Sequence, residues 1–70
     1  MYILDLENSD IKYVTQTEKK YFKLAVEYAI KNKTNSVKVN RIKFYFDFSK
    51  MQVMLGTSVK KAYIYKMKKI

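Results

Sequence analysis

The stretch RIKFYFDF, residues 41 to 48, interleaves basic and aromatic side chains: Arg41, Lys43 and Tyr45 alternate with Ile42, Phe44, Phe46 and Phe48. A similar mixture returns in the last eleven residues, KKAYIYKMKKI, which hold Lys60, Lys61, Tyr63, Tyr65, Lys66, Lys68 and Lys69. Lysines set among aromatic rings suit an extended polyanion, because bases stack on rings at about 1–3 kcal/mol each while ammonium groups follow the phosphates. These residues are therefore the candidate nucleic-acid contacts. Arg41 is the sole arginine among fifteen basic residues, so bidentate reading of guanine edges has little support. Binding is expected to be directed at the backbone, with little base specificity.

Other chemistry is poorly provided for. Cysteine and histidine are absent, which removes thiol nucleophiles, imidazole bases, disulfides and the common transition-metal ligands together. The six carboxylates are scattered without a metal-site spacing, and one glycine cannot build a phosphate-cradling loop of the dinucleotide or P-loop kind. No catalytic residue, metal or cofactor is expected, and the chain does not read as an enzyme.

Charge is unevenly distributed along the chain. Formal net charge is +9, yet the first ten residues carry Asp5, Glu7 and Asp10 and no base. The remainder sets fifteen basic residues against Glu18, Glu27 and Asp47, a balance of +12. Such a field attracts polyanions, either nucleic acid (DNA or RNA) or an acidic protein surface. Two functional classes follow. One is a small basic nucleic-acid-binding protein, of the sort that compact phage and mobile-element genomes favour. The other is a protein-binding module or inhibitor, for example an antagonist of a host nucleic-acid enzyme or defence complex, acting through a sheet edge or a tyrosine face. The abundance of lysine, asparagine, isoleucine and tyrosine also matches the coding bias of an AT-rich genome, which supplies lysines but does not explain the scarcity of acids.

The elements that must position these residues begin with MYILDL and IKYVT, which read as two strands of a hairpin turned by ENSD. TQTE, residues 15 to 18, is a capping box: the Thr15 hydroxyl accepts from the Glu18 amide and Glu18 reaches back to the Thr15 amide. A helix from about 16 to 33 follows, with Phe22, Ala25, Val26, Ala29 and Ile30 at i, i+3, i+4, i+7 and i+8. Tyr21, Leu24 and Tyr28 widen its apolar arc, to be covered by the N-terminal hairpin or by a partner, a homodimer among the candidates. Val37 and Val39 alternate on one phase and Ile42 to Phe48 on the other, so a bulge or local turn is expected near Asn40. MQVML returns as an antiparallel neighbour, and Gly56 with Thr57 and Ser58 marks the next turn. In the last segment, Val59, Ala62, Tyr63, Met67 and Ile70 would line a helix, but the strand formers of AYIYKM and the placing of Lys60 and Lys61 at the positive end of a helix dipole favour an edge strand. On such a strand, either Tyr63 with Tyr65 or Lys66 with Lys68 would project beside Lys43 and Tyr45 from the sheet face away from the helix.

The fold class expected is α+β: a single domain over residues 1 to 70, with a small antiparallel sheet of about four to five strands in the order ββαβββ and one amphipathic helix on one face. Seventy residues without disulfides leave a thin stability margin. No run approaches the length of a membrane span and the acidic N-terminus is unlike a secretory signal, so a cytoplasmic location without membrane contact is expected.

Overall fold

A computed structural model of the chain describes residues 1–57 and 62–70. It has five strands in one antiparallel sheet and a single helix: β1 (Tyr2–Asp5), α1 (Gln16–Asn32), β2 (Ser36–Val39), β3 (Ile42–Asp47), β4 (Gln52–Thr57) and β5 (Tyr63–Lys69). The strands lie side by side as β1-β5-β4-β3-β2. The α+β class, the single sheet and the single helix agree with the sequence reading. The order along the chain is βαββββ and not ββαβββ, because IKYVT forms no strand and Ser36–Val39 is a strand separate from Ile42–Asp47.

The strand that does not form is IKYVT. Residues 11 to 15 run without a sheet partner, and the side chains they turn inward are Ile11 and Val14, three apart, with Tyr13 exposed. A strand would bury every second residue. The place beside β1 is taken instead by β5, in the register Tyr2↔Lys69 and Leu4↔Met67. β5 is consequently an interior strand, with β4 on its other side, and its lysines do not guard an edge as expected. The edges are β1 and β2. The Ser9 hydroxyl stands at the end of the β1–β5 ladder, accepting from the Lys66 amide at 2.8 Å and donating to the Asp5 carbonyl at 2.7 Å. The Tyr65 hydroxyl donates to the Tyr13 carbonyl at 3.0 Å. Together these bonds tie the 6 to 15 connection down onto β5.

The helix starts where the capping box places it: the Glu18 amide donates to Thr15 Oγ1 at 3.0 Å and the Thr15 amide donates to Glu18 Oε1 at 2.9 Å. It ends with Lys33 in the left-handed region at φ 53°, the Thr34 amide donating to the Ala29 carbonyl at 3.0 Å. That is a Schellman stop with lysine where glycine is usual. The phase change near Asn40 is a two-residue turn, not a bulge: Val39 pairs with Ile42, and Asn40 has φ 59°. Gly56 lies within β4 and not in a turn. A Cβ there would stand 3.0 Å from the Cα and Cβ of Ala62, so the absence of a side chain lets the incoming β5 segment approach.

The core lies between the helix and one face of the sheet, with Phe22, Ala25, Val26 and Ala29 set against Val37, Ile42, Phe44, Phe46, Val53, Leu55, Tyr65 and Met67. Phe44, Phe46 and Phe48 stack along β3, and Phe22 packs on Phe46 with ring centroids 6.1 Å apart. The helix backbone comes close to β1, β2 and β3 and stays farther from β4 and β5. The rings of Tyr2 and Phe48 meet at 5.7 Å although two strands separate β1 from β3. In a flat sheet those strands would stand about 14 Å apart, three inter-strand spacings of about 4.8 Å. The sheet therefore curls around the helix as a trough, leaving its other face with no element over it among the described residues. Among the described residues no helix is long and apolar enough to cross a membrane.

Candidate nucleic-acid interface

Side chains on the uncovered face can be read directly from the pairing register. One row across the strands holds Ala62, Gly56, Lys43 and Lys38; the next holds Ile64, Met54, Tyr45 and Ser36; a third holds Asp5, Lys66, Gln52 and Asp47; and Lys68 lies beside Ile3. The second row is an exposed apolar stripe three strands wide: Tyr45 is 47% exposed, Met54 39% and Ile64 54%. The three, with Gln52 and Asp47, line a shallow depression of about 180 Å³.

Lys38 and Lys43 stand directly opposite each other on the hydrogen-bonded pair of strands β2 and β3. Like charges so placed destabilise a sheet. Among the described residues the register puts no carboxylate beside them, only Gly56, Ser36 and Tyr45. Arg41 is exposed in the turn that joins these strands, at the same end of the sheet. Three basic residues are thus gathered at this end, while Lys66 and Lys68 stand at the other.

The two carboxylates of this face lie toward the other end and are held by turns. Asp47 accepts from the Ser49 hydroxyl at 2.7 Å and from the Lys50 amide at 3.2 Å, and these bonds hold its carboxyl below the ordinary value of 3.8. Asp5 accepts from the Asn8 side chain at 2.7 Å, with the same effect. Both act as hydrogen-bond acceptors that shape a turn, and neither neutralises Lys38 or Lys43.

Of the residues singled out in the sequence, the structure brings Lys43, Tyr45, Lys66 and Lys68 to this side, with Arg41 exposed in the turn at one end. Tyr63 and Tyr65 belong to the opposite phase. Tyr65 is only 2% exposed, with its hydroxyl engaged, and Tyr63 is half-buried against the core. Neither presents its ring on the uncovered face, so both leave the candidate set. Burial and the nearby Glu18 carboxylate push the Tyr65 phenol above its ordinary value of 10.0. Lys69 is exposed on the helix side, its ammonium 5.8 Å from the centre of the Tyr2 ring. Lys60 and Lys61 lie outside the described residues. The expected partner interface is divided: Tyr21 packs against the core with its hydroxyl accepting from Asn40 Nδ2 at 3.2 Å, while Leu24 and Tyr28 are exposed beside edge strand β2.

Three residues of the site were missed by sequence reasoning. Lys38 becomes significant only once its register with Lys43 is known. Met54 and Ile64 resemble core residues until the phases of β4 and β5 are settled by Val53, Leu55, Tyr65 and Met67 facing inward. Among the described residues no cluster of three carboxylates, histidines or cysteines could hold a metal. Comparison with protein-family models, curated proteins and solved structures found no match to this chain.

Proposed function

We propose that the uncovered sheet face binds single-stranded nucleic acid, holding its backbone with little base specificity. Lys38, Lys43 and Arg41 contact phosphates, Lys66 and Lys68 extend the electrostatic path across the sheet, and Tyr45 stacks a base beside Met54 and Ile64. The observation that supports this reading most is the adjacency of two rows: an in-register lysine pair with no carboxylate beside it among the described residues, and next to it an exposed aromatic and apolar stripe. Successive side chains on one face of a strand are about 6.6 Å apart, two steps of about 3.3 Å, so Lys43 and Tyr45 can serve the phosphate and the base of neighbouring nucleotides. Apolar side chains on an open antiparallel sheet are ordinarily alternated with polar ones, and a contiguous run suits a planar partner.

The test compares Tyr45→Thr and Tyr45→Phe by fluorescence anisotropy with a labelled single-stranded oligonucleotide. Threonine keeps strand propensity and deletes the ring; phenylalanine keeps the ring. Loss of about 1–3 kcal/mol of stacking weakens binding by about 5- to 150-fold in Tyr45→Thr and leaves Tyr45→Phe near wild type. Single-strand binding that is absent at low salt, or indifferent to the ring, overturns the proposal.

A further inference from the structure

The opposite side of the molecule carries a second surface, independent of the uncovered face. Edge strand β1 reads Tyr-Ile-Leu-Asp and lacks the lysine that commonly shields a sheet edge. Its backbone orientation follows from the Met1 and Ile70 pair, in which the Ile70 amide donates to the Met1 carbonyl at 2.8 Å and the Met1 nitrogen donates to the Ile70 carbonyl at 3.3 Å. Bonded and non-bonded pairs alternate along an antiparallel ladder. Ile3 and Asp5 therefore turn their amides and carbonyls toward β5, while Tyr2 and Leu4 turn theirs to the free edge. Beside that edge, two hollows of about 270 and 470 Å³ share Tyr2 and Lys23 in their walls and separate β1 from the helix. Phe22, Val26 and Ile30 contribute an apolar floor, and Lys19, Lys23, Lys31 and Lys69 stand along the rim against one acid, Glu27, among the described lining residues.

We infer that this groove docks an extended segment of another protein that carries apolar and acidic residues together on one face, added to the sheet as a strand along β1. Strand addition takes its affinity from backbone bonds at a free edge and its selectivity from alternate side chains. A segment lying on Tyr2 and Leu4 would turn every second side chain toward the helix, apolar ones onto the floor and carboxylates in the same row onto the lysine rim. Charge complementarity selects this occupant over a second copy of the chain, since pairing β1 with β1 would bring two lysine rims together.

The probe is a synthetic peptide in which valine and glutamate take turns at every second position with threonine between them, titrated into the full chain and followed by amide hydrogen exchange and NMR shifts. Expected are slowed exchange at the Tyr2 and Leu4 amides, affinity lowered about tenfold or more by Lys19→Glu combined with Lys23→Glu, and no change in Tyr45→Thr. Unaltered exchange at Tyr2 and Leu4 with millimolar peptide overturns the inference. So does equal binding of a lysine and valine peptide, stronger protection of the same amides by a single-stranded oligonucleotide, or a dimer in sedimentation whose β1 amides are already protected.

Discussion

Replacing Lys43 with glutamine should stabilise the fold while weakening its proposed activity. Lys43 faces Lys38 directly across β2 and β3, a position where Cβ atoms are about 4.5–5.5 Å apart. If the two chains splay until their ammonium groups are about 7 Å apart, their repulsion in water is still about 0.6 kcal/mol. Glutamine is close in length, uncharged, and can occupy the same exposed site. Thermal unfolding at low salt should therefore show Lys43→Gln about 2–4 °C more stable than wild type, the shift that roughly half a kcal/mol produces in a domain of this size. The gain should disappear near 1 M salt, where the screening length is about 3 Å. Any lysine removed from a chain of net charge +9 relieves some general repulsion, so Lys20→Gln, on the exposed helix surface, is the control. It should gain distinctly less. In parallel, single-strand affinity should fall and the slope of log affinity against log salt should shrink by about 0.7, since one phosphate fewer is neutralised. A Lys43→Gln variant that is less stable than wild type at low salt, or whose gain ignores salt, refutes the reasoning, because Lys43 would then hold a favourable partner and no anion would be wanted.

Three further expectations concern the scaffold. Ser9→Ala leaves the Lys66 amide and the Asp5 carbonyl without their shared hydroxyl, which should cost about 1–3 kcal/mol in urea unfolding; an unchanged midpoint would mean that the two close on each other directly. Lys33→Gly relieves a left-handed residue at φ 53° and should raise stability by about 1 kcal/mol by the same measurement, whereas a loss would show the lysine side chain to be worth more than the strain. Tyr65, with its phenol raised above 10.0, should give a late phase in an ultraviolet titration that vanishes in Tyr65→Phe. Below pH 10 the folded and unfolded chains both keep this proton, so the contribution of the Tyr65 bond is fully present; as pH rises past the unfolded value the unfolded chain ionises first, and stability declines.

The helix was fully legible in the sequence because its signals are local: a capping box, an apolar period of 3.6 and a polar stop all lie within residues 15 to 35. β3 was equally plain, since Ile42, Phe44 and Phe46 alternate with polar residues and Tyr45 without interruption. What escaped was pairing. Nothing within IKYVT indicates that β1 bonds to the far end of the chain, or that Ile11 and Val14 turn inward while Tyr13 does not. The same non-local fact decided the phase of β5. YIYKMKK alternates Tyr63, Tyr65 and Met67 with Ile64, Lys66 and Lys68, and either set could face inward on pattern alone. Contact with Val53, Leu55 and Leu4 selected the larger rings, placing the two tyrosines on the core side and Ile64 outside. The lysine pair was illegible for the same reason, because residues 38 and 43 become opposite only when the turn contains two residues and not three.

Lysine content by itself carries little weight, since coding bias enriches lysine wherever a side chain is solvated and a soluble surface tolerates it at any exposed site. The placement discriminates better. A surface shaped for solubility alone would not set two lysines face to face without an acid and would put polar groups on the middle row of an uncovered sheet. Here Lys38, Lys43 and Arg41 gather at one end with no carboxylate beside the lysine pair among the described residues. Asp5 and Asp47 stand in turns at the end that also holds Lys66 and Lys68, and the row beside the lysine pair exposes Tyr45, Met54 and Ile64. Both the like-charge pair and the apolar row are unfavourable in isolation, and an anion carrying planar bases would relieve the two at once. A protein partner at the same face would need carboxylates over the first row and an apolar patch over the second, an arrangement that the β1 groove on the other side serves with free backbone bonds as well. That division of labour supports assigning nucleic acid to the uncovered face and an acidic polypeptide to the edge.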